Sequence, residues 1–65
     1  MKIYRAQTVP DASERSMTVE GPYKQVDIGG NTPKGRVSHR IQITVGGVKV
    51  WVCVQEDTLE EVRHA

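Results

Sequence analysis

The chain has no phenylalanine, one tryptophan, one cysteine and two histidines in its 65 residues. Without Phe, and with its aliphatic content mostly valine, it can build only a thin core. A chain this short buries only about 60% of the surface that its unfolded form exposes. Its stability is therefore marginal unless a partner or a second copy covers more of it. A lone cysteine closes no internal disulfide. No apolar run is long enough to span a membrane, and MKIYRAQTVP holds none long enough for a signal peptide. The expectation is one small domain over residues 1–65, cytoplasmic, with no membrane partner. Acidic residues are missing from one long interval. None falls between Asp27 and Glu56, where Lys34, Arg36, Arg40 and Lys49 stand, and half of the 8 acids cluster as Glu56, Asp57, Glu60 and Glu61. The net charge of +1 thus averages a basic segment and an acidic tail.

What is present most legibly is a β-hairpin over residues 36–56. RVSHRIQITV and VKVWVCVQE flank Gly46-Gly47. A two-residue hairpin turn needs φ > 0, which glycine accepts without steric cost. That turn pairs Val45 with Val48, Ile43 with Val50, Ile41 with Val52 and His39 with Val54. Side chains alternate faces along a strand. One face is then Val37, His39, Ile41, Ile43, Val45, Val48, Val50, Val52 and Val54, and it is expected to be core. The other carries Arg36, Ser38, Arg40, Gln42 and Thr44 opposite Lys49, Trp51, Cys53 and Gln55. A slip of one residue would mix the two sets, so the register is well specified.

Elsewhere the pattern predicts a strand over residues 2–9, turn chemistry over 10–15, a short strand over 17–20 ended by Gly21-Pro22, and another over 23–28. Residues 29–35 read as a loop and a candidate contact surface. Thr58 followed by Glu61 resembles a capping box, with Leu59 and Val62 on one face, and predicts a short C-terminal helix. The fold expected is mainly β (α+β): a small antiparallel sheet of four to five strands with a long hairpin and that helix. A thin core and an unpaired edge strand leave room for a homodimer.

Catalytic and metal chemistry find little support. Gly30 and Gly35 have the spacing of a phosphate-binding loop, but Arg36-Val37 follow where Lys and Ser/Thr are required, and a strand follows where a helix is needed. The hairpin register sets Cys53 and His39 on opposite faces, so they form no nucleophile–base pair. Cys53 reads as a small, semi-buried hydrophobe and His39 as a structural residue. Two scattered histidines and one cysteine do not make a zinc site. The reading is a protein that is not an enzyme and takes no cofactor or metal.

The polar hairpin face is the candidate site: Arg36, Arg40, Gln42, Lys49 and Trp51, with Lys34 from the preceding loop. An aromatic among cations and amides suits a protein hot spot, and equally base stacking with phosphate neutralisation. Burial of Trp51 beneath the C-terminal helix is the competing arrangement.

Val26-Asp27-Ile28-Gly29-Gly30-Asn31-Thr32-Pro33-Lys34, with His39-Arg40 beyond, resembles the carbon storage regulator family of small RNA-binding proteins. The likeness covers about residues 18–40. It implies antiparallel β-structure with a C-terminal helix, a dimer, binding of GGA-containing messenger leaders, and RNA contact by Arg40. Beyond Arg40 this chain continues through Ile41, Ile43 and Val45 as a strand, where the family turns helical.

The function expected first is that of a small interaction protein. It docks its basic, Trp-containing face onto a larger protein or protein–nucleic-acid complex, as inhibitors and adaptors of phages and mobile elements do, anti-defence proteins among them. The alternative is a regulator that binds RNA or single-stranded nucleic acid.

Overall fold

The computed structural model describes the backbone of residues 1–28 and 36–65 and the side chains of residues 1–26 and 39–65. The loop over residues 29–35, with Lys34, and the side chains of Arg36, Val37 and Ser38 lie outside the described residues. Five strands appear in chain order: β1 (Lys2–Gln7), β2 (Thr18–Ile28), β3 (Arg36–Val45), β4 (Val48–Val54) and β5 (Glu60–His64). They form one antiparallel sheet in the order β4-β3-β2-β1-β5. The protein is mainly β, as the alternating pattern requires.

β3 and β4 pair in the expected register, from Val45 with Val48 at the tip to His39 with Val54 at the base. Gly46 and Gly47 supply the two positive φ angles, 56° and 80°. β2 differs from expectation. Gly21-Pro22 does not end a strand but turns a corner within one. Residues up to Pro22 pair with β1, and those from Tyr23 onward pair with β3. Gly21 is required there by crowding, since a Cβ at that position would lie 1.8 Å from the carbonyl oxygen of Gln42. The corner folds the sheet over itself. Thr8 bridges Val54, the Val9 N–H donates to the Cys53 carbonyl at 3.2 Å, and the Gln55 N–H donates to the Gln7 carbonyl at 2.9 Å. The result is a half-closed barrel.

The core inside is small: Ala6, Val19, Ile41 and Val54 form its centre, flanked by Tyr4, Ile43, Val52 and Leu59. Ile41 is fully enclosed, at 0% exposure. The hairpin's apolar face is core only near its base. Val45, Val48 and Val50 are 58%, 61% and 36% exposed, because the hairpin projects past the barrel and nothing described packs beneath its tip.

The C-terminal helix is also corrected. Glu56–Thr58 makes a single 3-10 turn, and the chain then extends as β5. Thr58 does not cap a helix. Its hydroxyl accepts from the Gln7 N–H at 2.9 Å and donates to the Gln55 carbonyl at 2.8 Å, tying the turn to β1. A helix of eight residues cannot sustain itself, whereas the edge of β1 offers a ladder to Glu60–His64. That ladder also sets Glu60 near Arg5 (3.6 Å) and Glu61 near Lys2 (3.9 Å).

Candidate docking face

Alternation along β3 and β4 puts Arg40, Gln42, Lys49 and Trp51 on the outer side of the sheet. Gln42 is directly opposite Trp51, and Arg40 is opposite Cys53. Trp51 is 41% exposed. β5 does not cover it, because β5 stands at the far end of the strand order. Lys49 is exposed, while Arg40 and Gln42 are half-buried.

One member of this face was not legible in the sequence. Lys24 on β2 is opposite Arg40, and its ammonium reaches across β3 to 5.9 Å from the centre of the Trp51 ring. This is cation–π range. The signal that finds it is the β2–β3 register, and the loop joining those strands carries no turn signature that sets a register. Of the residues expected in the site, the structure therefore brings together Arg40, Gln42, Lys49 and Trp51 and adds Lys24. The contributions of Lys34 and of the Arg36 side chain lie outside the described residues.

The outer surface of the other half of the sheet is electrostatically different. There Glu20 takes hydrogen bonds from Arg5 at 3.1 Å and from Arg63 at 2.7 Å. The Arg5 bond foremost, joined by the one from Arg63, holds its carboxyl below the usual carboxylate range against an opposing desolvation. With Glu60 beside Arg5 and Glu61 beside Lys2, that half neutralises itself. Among the described residues, no carboxylate pairs with Lys24, Arg40 or Lys49.

No protein-family model, curated protein or solved structure matches this chain. Its chemistry is therefore read from its own residues.

Two further groups bear on that reading. His39 is buried, and its Nδ1 is hydrogen-bonded to the Tyr23 hydroxyl. Its ring stacks on Tyr23 with centroids 5.4 Å apart. Nε2 lies 3.1 Å from a Glu56 carboxylate oxygen but makes no hydrogen bond to it. Carboxylate, imidazole and hydroxyl in sequence have the order of a nucleophilic relay. Burial, then the charge of Glu56, pushes the pKa of the Tyr23 phenol up. The trio fastens the base of the hairpin to the 3-10 turn. Cys53 is exposed on the outer face rather than semi-buried. Among the described residues no His, Cys, Asp or Glu group is arranged to hold a metal ion, and no helix is long and apolar enough to cross a membrane.

Proposed function

We propose that the protein is a non-enzymatic docking module that sets its Trp51 face against an acidic surface of a larger partner and blocks or redirects that partner. One observation carries this reading: Trp51 is exposed on one face with Lys24, Arg40 and Lys49, and among the described residues no carboxylate pairs with these cations. Cations left without a counter-charge on a rigid sheet are complementary to a negative surface, and they steer its approach. Trp and Arg are the residues that dominate binding energy when an interface closes over them. The partner this suits is a protein, or a protein–nucleic-acid complex, that presents acids around an apolar socket. An inhibitor or adaptor, such as mobile elements carry, is the role that fits a small chain presenting such a face.

The second reading, a regulator of RNA like the carbon storage regulator family, uses the same cations. Arg40, the residue that likeness implicates, stands in this face. Against it, Lys24 already lies over the Trp51 ring where a base would stack.

Salt separates the two. Trp51 is the only tryptophan, so its fluorescence reports on this face alone. The protein is titrated with a Glu-rich peptide bearing a central aromatic, and separately with a single-stranded RNA containing GGA. Peptide binding that Lys24→Glu and Arg40→Glu abolish, but Lys2→Glu on the neutralised half leaves intact, supports docking. RNA binding with a log–log salt slope of roughly −2, as phosphate contacts by three cations give on a single strand, supports the second reading. If neither ligand moves the signal, both readings fall.

A further inference from the structure

The two outer edges of the sheet are built differently. β5 is short, carries Glu60, Glu61, Arg63 and His64, and is shifted in register opposite Ile3 and Tyr4. Charge, shortness and a bulge are how edges are protected from pairing. β4 has little of this. Among the described residues, Val48 to Val52 pair only with β3. Beyond that, Thr8 and Val9 occupy its edge at Val54 and Cys53. The open stretch is Val-Lys-Val-Trp-Val, with one charge, and on its inner side the exposed valines of the hairpin tip lie together.

The hairpin dictates which backbone groups face outward. The pair closing a two-residue turn is hydrogen-bonded, and successive pairs alternate. Val48, Val50 and Val52 therefore direct their N–H and C=O groups to β3, while Lys49 and Trp51 direct theirs away. The Val9 hydrogen bond to the carbonyl of Cys53, which has the same parity, agrees with this.

We infer that β4 pairs antiparallel with β4 of a second copy about a two-fold axis at Val50. Outward groups can pair only with outward groups, which leaves three close registers. One sets Lys49 opposite Lys49 of the other copy, a like-charge pair that is destabilising. One sets Lys49 opposite Cys53, where Val9 already holds the edge. The third sets Lys49 of each copy opposite Trp51 of the other, a cation facing an aromatic. That register is centred on Val50, which is also the midpoint of the open stretch, so the whole free edge is used and nothing bound is displaced. It brings Val50 against Val50 and Val48 against Val52, giving apolar neighbours to two of the valines that the barrel leaves bare. Each copy uses this edge once about the two-fold axis, so the assembly closes as a dimer and does not grow. The short ladder places it among small, reversible interfaces. The inference does not rest on the proposed docking function, since it is argued from the free edge and its register.

Cysteine cross-linking in a Cys53→Ser background reads the register directly. Val50 is a non-hydrogen-bonded pair with itself, with Cα atoms about 4.5 Å apart, within disulfide reach. Two copies of position 48 would lie roughly 13 Å apart along the strands. Val50→Cys is expected to form a covalent dimer under mild oxidation at least tenfold faster than Val48→Cys. Lys49→Pro removes an outward N–H at an edge position where proline is tolerated. It should abolish the concentration dependence of the sedimentation coefficient while the far-UV spectrum persists. Should that variant fail to fold, Val50→Glu, which sets two carboxylates face to face, replaces it with the same expected outcome. Equal cross-linking at positions 48 and 50, or a wild-type chain that sediments as a monomer at all concentrations, overturns the proposal.

Discussion

Replacing Gly21 by alanine tests the corner on which the whole arrangement depends. The added Cβ would stand 1.8 Å from the Gln42 carbonyl oxygen and 3.0 Å from Ile41 Cγ2. Ordinary contact begins near 3.4 Å, so the oxygen must retreat by about 1.6 Å, and it belongs to the backbone of β3 rather than to a flexible side-chain end. Overpacking a core costs about 1–3 kcal/mol and sometimes more, and a clash with backbone belongs at the top of that range, about 3 kcal/mol. A chain of this length has a total stability of roughly 3–10 kcal/mol. With a urea m-value of about 1 kcal/mol/M for so small a protein, the midpoint should fall by about 3 M, or the chain should not fold. Gly46→Ala is the control. It meets nothing within 4 Å and suffers only its φ of +56°, a cost of about 1–2 kcal/mol. Urea unfolding followed by Trp51 fluorescence compares the two. Because Lys24 follows the corner closely, Gly21→Ala should also lift it from Trp51 and change the native emission. A Gly21→Ala protein as stable as Gly46→Ala would refute the close approach of β2 and β3.

Two further predictions concern pH. The pKa of Tyr23 is raised above its ordinary 10.0. The stability it contributes is therefore complete below pH 10 and is lost as the pH rises through the folded-state value, because the unfolded chain releases its proton first. Tyr23→Phe should cost about 1 kcal/mol at neutral pH through the lost His39 hydrogen bond and should flatten the alkaline decline in urea midpoint; equal slopes in both proteins would count against the burial of this phenol. Glu20 is the opposite case, with its pKa lowered from 4.5 by Arg5 and Arg63. Its contribution is present above pH 4.5 and is lost as the pH falls through the folded-state value. Glu20→Gln should lose less of its remaining stability than wild type in acid denaturation below pH 4.5, and an unchanged acid limb would mean that the bridge between β1, β2 and β5 contributes nothing.

The hairpin was legible because two independent signals coincide in it: glycines that fix the turn and an alternation that fixes the faces. The same alternation says nothing about how far the barrel extends beneath the hairpin. Val45, Val48 and Val50 have the pattern of core residues, yet they stand beyond the core. Local signals misled where tertiary pairing outweighed them. Thr58 and Glu61 have the spacing of a capping box, but the open edge of β1 and the cations Arg5 and Lys2 draw the segment into a strand. Gly21-Pro22 has the composition of a stop and serves as a bend, because what decides its role is a carbonyl contributed by Gln42 from another strand. Arg40, Gln42, Lys49 and Trp51 could be grouped from one hairpin alone, whereas Lys24 required the pairing of β2 with β3.

The position of β1 between β2 and β5 has a consequence in time. The hairpin of β3 and β4 closes through a two-residue turn and can form within about 1–10 μs. β1 instead receives β5, pairing Lys2 with His64, which requires nearly the whole chain to form a loop before any contact rewards it. The last strand therefore docks late on the folding route. Substitutions in β5 should act mainly by hastening unfolding, and those in the hairpin by slowing folding. The lifetime of the folded protein is thus governed at β5, on the opposite edge of the sheet from Trp51.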